Sequence, residues 1–227
     1  MSTLTKISTL CVLDDVETEL SQMGLTKNIF ENSIKAGLFQ YKRVTPLHPV
    51  SAAGSRFWEE VIAIFRYGVT KSTQSVWSCK HQDGLSLTYC TEHQISIVVT
   101  SRNKFTGVSD GAVKTKNAKG PSTIAYVRQN QDLFRDSPEI ISLEEYRQKT
   151  DPNETWVYLY FIDKQNKIVR SELSLPKELH QVEGRLTIDK WEKRIILPEV
   201  SYDATIGDSL IDQAQEFSPE IDFSQLM

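Results

Sequence analysis

Apolar residues recur at every third or fourth position as far as Tyr67 and at every second position from Val76 onward, and this change of period divides the chain into a helical beginning and a strand-rich body. Val12, Leu13, Val16, Leu20 and Met23 predict a first helix ended by Gly24. Thr26 then caps a second, with Ile29, Phe30, Ile34 and Leu38 as its apolar stripe and Gly37 at its end. Together they form an N-terminal helical hairpin within residues 1–40, joined at Met23-Gly24-Leu25-Thr26. Lys27, Asn28, Asn32 and Lys35 are the polar groups a DNA-reading helix would need, but helix-turn-helix geometry is shared by any helical hairpin, and the structural reading is preferred. Pro46 and Pro49 mark a connector, after which Ser55 caps an apolar helix over Arg56–Tyr67 that reads as lying across a sheet.

The alternating segments predict strands. Val76 and Ser78, then Leu85, Leu87 and Tyr89, then Ile95, Ile97 and Val99 form a three-stranded meander with turns at Asp83-Gly84 and Thr91–Gln94. Residues 101–121 have no apolar period, and helices follow over 122–134 and 143–149. Trp156–Ile162 is the most apolar stretch and predicts a central strand. After a turn at Asp163–Lys167, Ile168–Leu175 returns with Ile168, Arg170, Glu172 and Ser174 on one face and Val169, Ser171, Leu173 and Leu175 on the other. A last strand is read at Arg194–Leu197. The expected fold is α+β, a mostly antiparallel sheet of five or six strands packed by helices on one face. The expected divisions are 1–40, a body at 41–198 containing the basic loop 101–121, and an acidic interaction tail at 199–227.

Composition adds a folded, water-exposed protein to this picture, with 39% hydrophobic and 25% charged residues. No run approaches 18 apolar residues, and the first 13 have neither the basic start nor the apolar stretch of a secretory signal, so the expected location is cytoplasmic, without a membrane partner. Three cysteines in such a chain read as free thiols. The net charge of −4 is unevenly placed. Residues 1–194 carry 26 basic and 23 acidic side chains, whereas the 33 residues after Arg194 carry seven acids (Glu199, Asp203, Asp208, Asp212, Glu216, Glu220 and Asp222) and no base. Like-charge blocks of this kind govern association more than fold.

Candidate chemistry is sparse. Cys79, His81, Cys90 and His93 make a zinc-compatible set of four within 15 residues. Cys-x-His is nevertheless tighter than a zinc knuckle, and the meander would place the pairs on separate strand ends, so the residues read as ordinary hairpin positions and no metal or cofactor is expected. Around Gly111 and Lys119-Gly120 the glycine and lysine order of a P-loop is absent. Glu172 is followed by Leu173 and Ser174, which excludes an E-x-K nuclease pair, and no nucleophile elbow, zincin helix or dinucleotide turn occurs. The reading leans away from an enzyme. The basic loop, with Arg102, Lys104, Lys114, Lys116 and Lys119 around Gly107, Gly111 and Gly120, suits contact with phosphate of DNA or RNA. In the tail, Phe217, Ile221, Phe223, Leu226 and Met227 alternate with acids, a pattern that suits docking on a protein partner or on the chain's own body. Gln129–Phe134 has a slight likeness to the peptides that bind bacterial sliding clamps, and the preferred reading makes Leu133 and Phe134 core residues.

Met23-Gly24-Leu25-Thr26, Thr45-Pro46-Leu47-His48-Pro49, Thr106-Gly107 and Thr115–Pro121 carry a resemblance, continued by Glu172–Pro176 and Arg194–Pro198. On these residues the chain resembles a family of uncharacterised bacterial proteins often found on plasmids and other mobile elements, over roughly residues 20–198 and not over the acidic tail. The resemblance implies a bacterial cytoplasmic protein near DNA transactions and carries no activity with it. The expected function is therefore a non-enzymatic accessory protein of a nucleic-acid-associated complex of mobile-element or phage-defence type. The alternatives are a protein-interaction subunit without nucleic-acid contact and a metal-dependent hydrolase.

Overall fold

The computed structural model describes residues 9–11, 15–72, 75–82, 85–111, 113, 154–182 and 185–216. The helices expected over 122–134 and 143–149, and the clamp-like peptide Gln129–Phe134, lie outside these residues. Three helices, α1 (Val16–Gln22), α2 (Lys27–Lys42) and α3 (Ala52–Ser72), precede strands β2 (Trp77–Gln82), β3 (Leu85–Cys90), β4 (Ile95–Ser101), β5 (Glu154–Asp163), β6 (Ile168–Val182) and β7 (Arg185–Ile196). A short β1 (Thr9–Cys11), a two-residue β8 (Val200–Ser201) and a helix α4 (Asp208–Glu216) complete the described elements. The strands form one sheet in the order β1-β7-β6-β5-β4-β3-β2, with β8 paired to β6.

This is the α+β architecture that the two periods predict, and the pairing is antiparallel except at β1–β7 and β4–β5. The sheet exceeds five or six strands because β1 and β8 are too short to show a period. The β6–β7 hairpin is also longer than the apolar pattern suggests: Ile168 runs on to Val182 through Pro176, where the register slips repeatedly. A proline has no N–H to give the ladder, so irregular pairing is expected there.

Alternate strand residues and the stripes of α1–α3 bury a single large core that includes Phe30, Phe57, Phe65, Ile97, Tyr158 and Leu173. Tyr158 lies at its centre. Its ring meets Phe30 edge-on, with centroids 4.9 Å apart, and its hydroxyl lies 3.0 Å from Ser33 Oγ and 3.2 Å from the Phe30 carbonyl. A buried phenol is thus fully partnered, and burial raises its pKa. On α3, Trp58 Nε1 donates to the Val99 carbonyl at 3.0 Å, so that helix does lie across the sheet.

One helical expectation changes. Val12 and Leu13 lie outside the described residues, and α1 begins at Val16. Gly24, with φ +66°, does end the α1 turn, but Gly37 lies inside α2. A Cβ on Gly37 would come within 2.7 Å of Val61 and 3.1 Å of Phe57 on α3, so this glycine is a site of close helix approach. Gly37→Ala is expected to lower stability by about 1–3 kcal/mol through overpacking. Chemical denaturation of the two proteins would read this as a lower midpoint.

Candidate functional site

The parallel pairing of β4 with β5 requires the chain to cross a face of the sheet between Ser101 and Glu154. Its first described stretch, residues 102–111 with Val113, lies on the face opposite the helices. The residues there are Val157 and Leu159 on β5, Glu172 and Ser174 on β6 and Arg194 on β7. Val113 packs with Val157, Leu159, Ile188 and Trp191, and Trp191 Nε1 donates to the Val113 carbonyl at 3.0 Å.

A buried ion pair fastens this crossover. Arg194 Nε and Nη2 donate to the two carboxylate oxygens of Glu172 at 3.2 and 2.6 Å. The remaining guanidinium donors reach main-chain carbonyls of the crossover: Val108 at 3.0 Å, Ser109 at 3.3 Å and Gly111 at 3.3 Å. Arginine has five N–H groups, and all five are used. Glu172 also accepts from the Gly107 amide at 2.8 Å and from Ser174 Oγ at 2.9 Å. Gly107, with φ +70°, allows this approach, since a Cβ there would meet Arg170 Cβ at 2.9 Å. Gly107 and Gly111, read as part of a phosphate-binding loop, therefore serve the loop's own packing.

Arg102 requires a correction. It is only 5% exposed, not a surface phosphate contact, because its main chain continues β4 by donating to the Tyr160 carbonyl at 2.9 Å. Its Nη1 donates to Thr100 Oγ1 and to the Ser101 carbonyl, while Nε and Nη2 have no hydrogen-bond partner. Burial pulls this guanidinium down to about 9, opposed by Tyr160 and Glu172, so it is still cationic at neutral pH. Lys104 is exposed, with its ammonium 5.4 Å from the Phe105 ring centroid. Lys114, Lys116 and Lys119 lie outside the described residues.

The four zinc-compatible residues separate into two pairs. Cys79 and His81 face Arg66 of α3, whose side chain reaches Thr88 Oγ1 at 3.1 Å, the Leu87 carbonyl at 3.2 Å and His81 Nε2 at 3.3 Å. A guanidinium only donates, so His81 Nε2 accepts and Nδ1 carries the proton, 3.3 Å from Ser86 Oγ. Burial, then Arg66, lowers the His81 pKa, and burial raises that of the Cys79 thiol against the pull of Arg66. Cys90 and His93 instead stand with Glu92, their ligand atoms all within 4.8 Å of one another, the one such group of three among the described residues. His93 Nε2 lies 2.6 Å from Ser75 Oγ. Glu92 and Ser75 are absent from the spacing argument: Glu92 sits in a turn whose conformation, with Gln94 at φ +53°, brings it round to Cys90, and Ser75 comes from a different connection.

The acidic end begins as part of the body. Val200 pairs with Val169, Tyr202 stacks edge-on against Tyr41, and Ile211 on α4 is buried, while Tyr67 on α3 donates to Gln213 at 3.1 Å. Phe217, Ile221, Phe223, Leu226 and Met227 lie outside the described residues. Among the described residues no helix is long and apolar enough to cross a membrane.

The fold and its clamped crossover define an α+β protein with helices on one sheet face and a charged connection on the other. No protein-family model, curated protein or solved structure matches the chain.

Arg194 and Arg102 make opposite predictions. Arg194→Met strands the Glu172 carboxylate and is expected to cost about 3–5 kcal/mol. Arg102→Met removes a poorly partnered buried cation and is expected to fall within about 1 kcal/mol of the parent or above it. Denaturant unfolding of both variants checks the contrast.

Proposed function

We propose that this chain is a non-enzymatic accessory protein of a bacterial nucleic-acid-associated complex, of mobile-element or phage-defence type, acting in the cytoplasm. Phosphate is contacted through the basic segment that runs from Lys104 to Lys114, Lys116 and Lys119, and a protein partner is engaged through Phe217, Ile221, Phe223, Leu226 and Met227. The observation that carries this reading is the clamp. Glu172 and Arg194 hold the crossover by its own carbonyls and amide, so the lysine-bearing chain departs from a fixed point at Val113. Arg102 is left out of the contact set because it is buried. Backbone-phosphate contact needs cations and a fixed base more than a shaped pocket, and it carries no sequence preference of its own.

A second reading, a protein-interaction subunit without nucleic-acid contact, is favoured by the packing of α4 on α3, which anchors the chain just before the apolar and acidic end. Salt titrations separate the two. The full chain is expected to bind a labelled duplex or single strand at low salt and to weaken steeply as salt rises. Replacing Lys114, Lys116 and Lys119 with alanine is expected to flatten the log–log salt slope by about one unit per lost phosphate contact. Absence of binding at low salt, even after removal of residues 217–227, would exclude nucleic-acid contact. An altered set of co-purifying proteins on that same truncation would then favour the second reading.

A further inference from the structure

The turn between β3 and β4 brings together donors that no part of the phosphate-contact reading uses. Cys90 ends β3 with no exposed surface and pairs with Ile95 across the hairpin, while Glu92 is exposed and His93 is half-buried. One ligand atom from each lies within 4.8 Å of the other two. In a tetrahedral zinc site with Zn–S of about 2.3 Å and Zn–N and Zn–O of about 2.0–2.2 Å, neighbouring ligand atoms stand about 3.3–3.6 Å apart. Closing the group onto an ion therefore asks for shifts of about 1 Å, within the reach of turn side chains.

The imidazole is already oriented. Its Nε2 is 2.6 Å from Ser75 Oγ, on the connection between α3 and β2, and a Cβ on Gly24 would lie 2.6 Å from the same nitrogen. Two other parts of the chain, at Gly24 and Ser75, thus meet on the Nε2 edge of His93, leaving Nδ1 as the coordinating nitrogen. Metal-bound histidines commonly donate their other ring N–H to an oxygen, and Ser75 Oγ is placed to receive it. Thiolate, imidazole and carboxylate together suit a borderline ion such as zinc rather than magnesium or calcium, which take oxygen ligands.

We propose that Cys90 Sγ, a Glu92 carboxylate oxygen and His93 Nδ1 form a zinc-class metal site at the β3–β4 turn, with a fourth position open to water on the exposed Glu92 side and Ser75 as a positioning residue. Cys79 and His81 stand outside this group of ligand atoms, and Arg66 occupies His81 Nε2. Binding converts the Cys90 thiol to thiolate and releases its proton to solvent, with no oxidation or reduction.

The test is titration of the full-length chain, stripped of metal and kept reduced, with zinc, cobalt(II) and magnesium. Zinc and cobalt are expected to bind at one ion per chain, cobalt with a near-ultraviolet thiolate-to-metal band, and magnesium is expected not to compete. Cys90→Ser should abolish the band, and Cys79→Ser should leave it intact. His93→Gln and Glu92→Gln, at more exposed positions, should weaken zinc binding without unfolding the protein, with near-ultraviolet dichroism as the fold control. Ser75→Ala should weaken it by about 10–100-fold while keeping the band. Absence of stoichiometric zinc binding would overturn the proposal. So would a cobalt band that survives Cys90→Ser, or affinity unmoved by both His93→Gln and Glu92→Gln. If Ser75→Ala lowers thermal stability with unchanged zinc affinity, the Ser75–His93 contact is a staple and the positioning role is overturned.

Discussion

The Glu172–Arg194 pair is the constraint to which the non-helical face of the sheet answers. A parallel strand pair obliges a long crossover, and a crossover lying on a sheet must find partners for its own amides and carbonyls. Here one guanidinium accepts that task for Val108, Ser109 and Gly111, and one carboxylate does so for Gly107. Two buried charges are costly to desolvate, and their attraction offsets that cost only when every remaining donor and lone pair is satisfied. The five filled donors of Arg194 meet that condition. An apolar pair of the same volume could fill the space, but it could not hold main-chain carbonyls, so the charges fix where the crossover lies more than how stable the protein is.

The two sheet faces consequently work by different physics. Toward the helices, the aromatic group of Phe30, Phe57, Phe65 and Tyr158 supplies non-directional burial, with one phenolic hydroxyl tied back to α2. Toward the crossover, a small apolar patch around Trp191 sits beside a directional polar centre. The first face tolerates shape-conserving exchange, while the second loses its geometry when any one donor is removed.

The same division explains what the sequence made legible. The helices, the meander and the central strand announce themselves by apolar period, because burial selects side chains at fixed spacing. The crossover does not, because its contacts run through backbone atoms that any residue possesses. Glu172 and Ser174 alternate with Leu173 and Leu175, which places them on one face and does not show that both are fully buried. A signal was present in the segment between Ser101 and Trp156, too long for a hairpin and therefore demanding that some face be covered. Gly37 reads as a helix end by residue type and is instead an interior contact with Val61 and Phe57, a distinction that exists only once α3 is in place. In the hairpin, composition finds Cys79, His81, Cys90 and His93, but an arginine from α3 decides which of them are available to one another.

Burial also alters the meaning of the charge asymmetry. Arg102 and Arg194 count toward the surplus of bases before residue 195, yet both lie inside the protein, one of them neutralised by Glu172. A field that acts on a partner comes from charges in water, so the basic character of the body rests on exposed lysines such as Lys104 rather than on these arginines. On the acidic side, Val200, Tyr202 and Ile211 bind residues 200–216 to the body by apolar contact, and no ion pair to the described lysines and arginines is needed to hold them. Asp203, Asp212 and Glu216 are therefore carried by the fold instead of drawn to it, and their charge remains at the surface to act on whatever approaches.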